Sequence, residues 1–182
     1  DDASCIYCNI NTVDTFYSTG AMQSYTVPLG ITSISIEAYG AQGGNGGTYS
    51  NNCIAGKGAK IKGDFTVTSG DQFDILVGQQ GLAAPDYGGG GGGGSFVYNT
   101  STASLLLAAG GGGGVGYSSI CNGANADTSI NGTPGNNSGG AGGISGSGGN
   151  VNYTTWYASG GGGYVSPGFD GGDNSTGGLG FF

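Results

Sequence analysis

Histidine is absent from the chain, which removes the general base that Ser-His-Asp and Cys-His sites require. Four cysteines remain: Cys5, Cys8, Cys53 and Cys121. A zinc site of four cysteines normally uses two close pairs, and only Cys5-Ile6-Tyr7-Cys8 is one. An even count without histidine points instead to disulfides and an oxidising compartment. Four cysteines can pair in three ways. Cys53–Cys121 is favoured, because each lies in a polar loop flanked by glycine segments. Cys5 and Cys8 would then close a small local ring or link neighbouring chains.

The carboxylates form no recognisable constellation. Glu37, Asp64, Asp71 and Asp74 fall on expected strands and turns, where exposed acids keep a surface soluble. A glycosidase pair could hide among them, but nothing selects two. Asp170, Asp173 and Asn174 could offer oxygen ligands to calcium, yet their spacing fits no EF-hand loop and reads as a turn. Gly56-Lys57-Gly58-Ala59-Lys60 lacks the phosphate-loop spacing and reads as a solvated strand start. Glycine runs match G-x-G-x-x-G trivially, and none opens a helix. The expectation is a non-catalytic chain with no cofactor. Recognition, if present, would fall to Tyr117, Tyr153, Trp156, Tyr157 and Tyr164, which lie near the ends of glycine runs. Exposed, they suit stacking on sugars or anchoring a partner; the favoured reading is that they cap a glycine array.

What must position such residues is glycine itself. The chain has 182 residues and 46 glycines, against ordinary usage of about 7%. Gly88, Gly89, Gly90, Gly91, Gly92, Gly93 and Gly94 stand in a row, followed by apolar Phe96-Val97-Tyr98 and Leu105-Leu106-Leu107. Flexible linkers do not alternate with compact apolar runs in this way. The run reads as a rod of polyglycine II, with three residues per turn and no internal hydrogen bonds. At about 3.1 Å per residue it would span roughly 22 Å. Such rods must satisfy their N–H and C=O groups on neighbours, and only glycine allows backbones that close. Further rods are expected at 40–47, 110–116, 139–149, 160–163 and 171–180.

Between the glycines, strand patterns appear. Ser33-Ile34-Ser35-Ile36-Glu37-Ala38 alternates polar and apolar residues, so one face should be buried and the other wet. Strands are also expected at 14–18, 24–27, 59–68, 72–77, 95–98 and 104–109, the last two paired across 99–102. No helical period occurs. The fold class is therefore all-β, interleaved with a bundle of polyglycine II helices. The division is an N-terminal arm at 1–13, a β-lobe with inserted glycine segments at 14–109, and a mainly glycine bundle at 110–182.

Charged residues make up 8% of the chain, with a net charge of −8 and three cations, Lys57, Lys60 and Lys62. This excludes the phosphate contacts of nucleic-acid binding and disfavours an anionic membrane surface. No apolar run reaches the roughly 20 residues of a spanning helix. The start of the chain, with no basic hydrophobic leader, reads as a mature secreted form. Asn99, Asn131, Asn136, Asn152 and Asn174 open N-x-[ST] sequons and are glycosylation candidates.

Four motifs occur in a specific order: Ile36-Glu37-Ala38-Tyr39-Gly40-Ala41-Gln42-Gly43-Gly44, Ile75-Leu76-Val77-Gly78-Gln79-Gln80-Gly81, the seven glycines with Phe96-Val97-Tyr98, and Leu105-Leu106-Leu107-Ala108-Ala109-Gly110. In that order the chain resembles the glycine-rich extracellular region of anaplastic lymphoma kinase and leukocyte tyrosine kinase, also seen in microbial secreted proteins. The resemblance covers about residues 15–117. It implies a tumour-necrosis-factor-like, jelly-roll β-sandwich joined to a hexagonal polyglycine II bundle. The kinases' cytokine-binding positions do not map onto this chain. The functional expectation is a secreted, extracellular structural protein that self-associates into a homo-oligomer, fibre, sheath or surface layer, through its cysteine arm or a free strand edge. The alternative is an adhesin- or receptor-like module that binds a glycan or protein through loops 45–55, 118–138 and 150–158.

Overall fold

The computed structural model describes residues 12–46, 53–83, 88–116, 121–134, 140–152, 158–171 and 176–181. No helix occurs among them, and the strands lie in two antiparallel sheets. In chain order they are β1 (Gln23–Thr26), β2 (Ser33–Tyr39), β3 (Lys60–Thr66), β4 (Gln72–Leu76), β5 (Ser95–Asn99) and β6 (Ser104–Ala109). One sheet has the order β1-β4-β5-β6; the other is β2-β3. The alternation along β2 turns Ile34, Ile36 and Ala38 inward and leaves Ser33, Ser35 and Glu37 exposed. Both sheets feed one apolar core of Val27, Ala38, Val67, Phe73, Ile75, Val97, Leu107 and Ala109. Gly63 sits opposite Ile36 on the core side, and the Phe65 ring fills the place its side chain would take.

One expected strand is corrected. Residues 14–18 form none. Side chains fasten this stretch instead: Phe16 lies edge-on to Tyr25 with centroids 6.1 Å apart, and Gln23 Nε2 donates to the Tyr17 carbonyl. Aromatic residues such as Phe16 and Tyr17, without a neighbouring backbone to pair with, do not make a strand.

The glycine tracts are buried and bonded to one another. All of Gly88 to Gly94 is buried. Gly89 and Gly92 donate to Val115 and Gly112; Gly90 and Gly93 donate to Leu82 and Gln79; Gly91 donates to Thr176. The donor direction therefore repeats every third residue. The carbonyls repeat likewise: those of Gly90 and Gly93 accept from Gly44 and Ala41, and those of Gly89 and Gly92 from Ser159 and Gly162. Tracts from both sides of residue 109 thus meet in one array. A Cβ on Gly91 would lie 1.8 Å from the Gly160 oxygen, and one on Gly114 would lie 1.9 Å from that of Gly89. No residue but glycine fits such spacing.

Candidate functional site

Cys53 and Cys121 are joined, with Cα atoms 5.6 Å apart. Oxidised to each other, neither is a thiolate ligand, so the four-cysteine zinc reading is overturned. Beside the bond, two tracts run parallel. Asn122 Oδ1 accepts from Ile54 N–H while Gly123 N–H donates to the Ile54 carbonyl. Three residues on, Asn125 Oδ1 accepts from Lys57 N–H and Ala126 N–H donates to the Lys57 carbonyl. The disulfide and both asparagine contacts share a sequence separation of 68. Each amide side chain thus accepts the N–H of the residue whose carbonyl the next residue's N–H engages. Sequence reasoning missed this ladder; its signal is Asn-x-x-Asn, a spacing of one threefold turn. Cys5 and Cys8 lie outside the described residues.

A groove of 670 Å³ opens beside this ladder, within the usual range of ligand clefts. It runs between Ile61 and Leu105 of the β-lobe, Asn125 and Asp127 of the ladder, and Asn150 and Tyr164 of later tracts. Among the described residues Asp127 is its one charged liner. The Ser129 hydroxyl, and then the Ser129 N–H, hold that carboxyl below the usual range. The groove therefore presents amides, hydroxyls and glycine backbone, with no cation to hold an anionic ligand.

Tyr164 does not stand free. Its ring stacks on Phe181 at 5.3 Å and lies 5.7 Å from Phe96. Phe181 also meets Phe96 and Tyr98. Burial, and secondarily Tyr98, raises the Tyr164 hydroxyl's pKa. This cluster closes the seam where β5 leaves the glycine array. Tyr117, Tyr153, Trp156 and Tyr157 lie outside the described residues.

The sequon at Asn99 is corrected. Asn99 is 4% exposed. Its Oδ1 accepts from Ser101 and Thr102 N–H, and its Nδ2 donates to Asp71. It caps the β5–β6 turn, where Ala103 takes φ 51°, and no path to solvent remains for a glycan. Asn131 and Asn152 are exposed; Asn136 and Asn174 lie outside the described residues. The other acids also have local tasks. Asp71 accepts from Thr68 N–H, and Asp170 accepts from Gly177 N–H. Asp173 lies outside the described residues. Glu37 is 3.3 Å from Lys60, whose ammonium lies 5.1 Å from the Tyr39 ring centroid. The Tyr39 hydroxyl first, then Lys60, lowers the Glu37 pKa.

Among the described residues no cluster of His, Cys, Asp or Glu could hold a metal, and no helix is long and apolar enough to cross a membrane. A scan of known protein families finds no model that matches the chain, and a search of curated proteins finds no matching relative.

Proposed function

We propose that the chain is a non-catalytic extracellular structural module, built to be stiff and to self-associate into a larger assembly. The observation that carries the reading is the three-residue hydrogen-bond repeat along Gly88–Gly94. That is the periodicity of polyglycine II, whose rods each bond to neighbours on all sides. On this reading the array is a polyglycine II bundle fused to a jelly-roll-like lobe, as in the kinase extracellular regions that the chain resembles. Its side chains offer little to reactive chemistry, and its disulfide suits an oxidising compartment. Exposed Ile144, Val165, Phe169 and Leu179 on the outer tracts give apolar surface for contact between copies. Electron microscopy of the purified chain across concentrations, and of the native material, tests this. Fibres, sheets or discrete oligomers are expected; isolated monomers in both samples would refute it.

The groove supports a second reading, recognition of a neutral glycan or peptide. A glycan array with the wild-type chain and a folded Asn125→Ala variant separates the two. Binding lost in the variant favours recognition, and no binding by either favours assembly alone.

A further inference from the structure

The two-stranded sheet ends in an unpaired backbone edge. Thr32 and Gly40, on either side of β2, bond to Val67 and Ala59 on the β3 side. With the register in between, this turns the main-chain groups of Ile34, Ile36 and Ala38 toward β3. Those of Ser33, Ser35 and Glu37 point the other way. Among the described residues none of these three N–H or C=O groups has a main-chain partner. Tyr39 is half engaged, since its carbonyl accepts from Ser95 Oγ at 2.6 Å. A row of unpaired strand groups is a template for another strand.

We infer that this edge pairs antiparallel with the same edge of a second copy, fusing two two-stranded sheets across a two-fold axis. The inference rests on the self-association reading and names its contact. Two observations select this edge and this partner. The first is charge. Each copy carries −8, so copies repel. All three cations, Lys57, Lys60 and Lys62, lie on β3 or just before it. Glu37 has Lys62 opposite it and Lys60 at 3.3 Å, so the one acid on the β2 edge is already neutralised within its own sheet. Repulsion is least here. The second is register. Placing Ser35 opposite the partner's Ser35, and Ser33 opposite the partner's Glu37, pairs the three free outward residues of one edge with those of the other and stops short of Tyr39, whose outward side already faces Ser95. It also puts no carboxylate opposite a carboxylate. The outer edge of β3 is different: Lys60, Lys62 and Asp64 are the residue types that keep an edge in water. β1 is only 4 residues long.

The test uses the whole chain in sedimentation equilibrium over a range of concentration and salt. Ser35→Pro removes an N–H that β3 does not use, and Ser35→Lys places a charge on the edge. The wild type should dimerise, and more tightly as salt rises, because salt screens repulsion between like-charged copies while main-chain bonds are neutral. Each variant should weaken association at least tenfold with unchanged melting. Amide exchange at Ser33, Ser35 and Glu37 should slow as the wild type is concentrated. If Ser35→Pro fails to fold, Ser35→Lys and the exchange data decide. A wild type that stays monomeric throughout overturns this contact, and the assembly reading falls with it only where the native material is monomeric too. Association that persists in folded Ser35→Lys, with those amides unprotected, overturns the contact alone.

Discussion

The β-lobe and the glycine array are both tightly packed, but by opposite means. In the β-lobe, side chains fill the space between sheets, and Phe73, Val27 and Ala109 are almost wholly buried. In the array, backbone fills the space against backbone, and the absence of side chains is the packing. The first region is damaged by removing atoms and the second by adding them. Each also meets its polar groups differently: ladders in one plane for the sheets, three directions in rotation for the tracts.

The sharpest way to break this comparison is Gly91→Val. Its Cβ would fall 1.8 Å from a backbone oxygen that has nowhere to go. We expect a loss above about 4 kcal/mol, enough to unfold a marginal domain. Gly110→Ala is the control: the nearest described atom is 4.0 Å away, and the effect should stay within about 0.5 kcal/mol. Denaturant titration measures both, and equal losses would end the distinction. In the β-lobe, Phe73→Ala should cost about 3–5 kcal/mol through the cavity it leaves.

Loss of the disulfide comes next. With its ends 68 positions apart in sequence, chain entropy assigns it up to about 4 kcal/mol. The Cys53→Ala/Cys121→Ala chain should melt lower, and amide protection should fall first at Ile54 and Lys57. Asn125→Ala should cost about 1 kcal/mol, the worth of one hydrogen bond, and should speed exchange at Lys57 while sparing β5.

The smallest effect belongs to Glu37. Its folded pKa is lowered, so its contribution is present above the unfolded carboxylate value and fades as pH falls through the folded one. Lying at the surface, it should move stability little. An NMR titration should place its midpoint below the ordinary range. Tyr39→Phe and Lys60→Met should each raise that midpoint.

The strands were legible because alternation over Ser33–Tyr39 and apolar runs at Ser95–Asn99 and Ser104–Ala109 are local patterns. The Cys53–Cys121 pair was legible from its glycine flanks. The asparagine ladder was not, since an Asn-x-x-Asn spacing means something only once the segment from Ile54 to Lys57 lies beside it. Nor was the burial of Asn99, whose sequon looks like any other until Asp71 and the turn close around its amide.

By itself the sequence determined that backbone must do much of the packing, because a quarter of its residues are glycine, and that three cations leave little to meet the phosphates of a nucleic acid. Tertiary structure alone decided which tract lies against which. A glycine has no side chain to distinguish one neighbour from another. The partners are chosen instead by strands that feed the tracts, by one disulfide, and by two asparagines that hold the register.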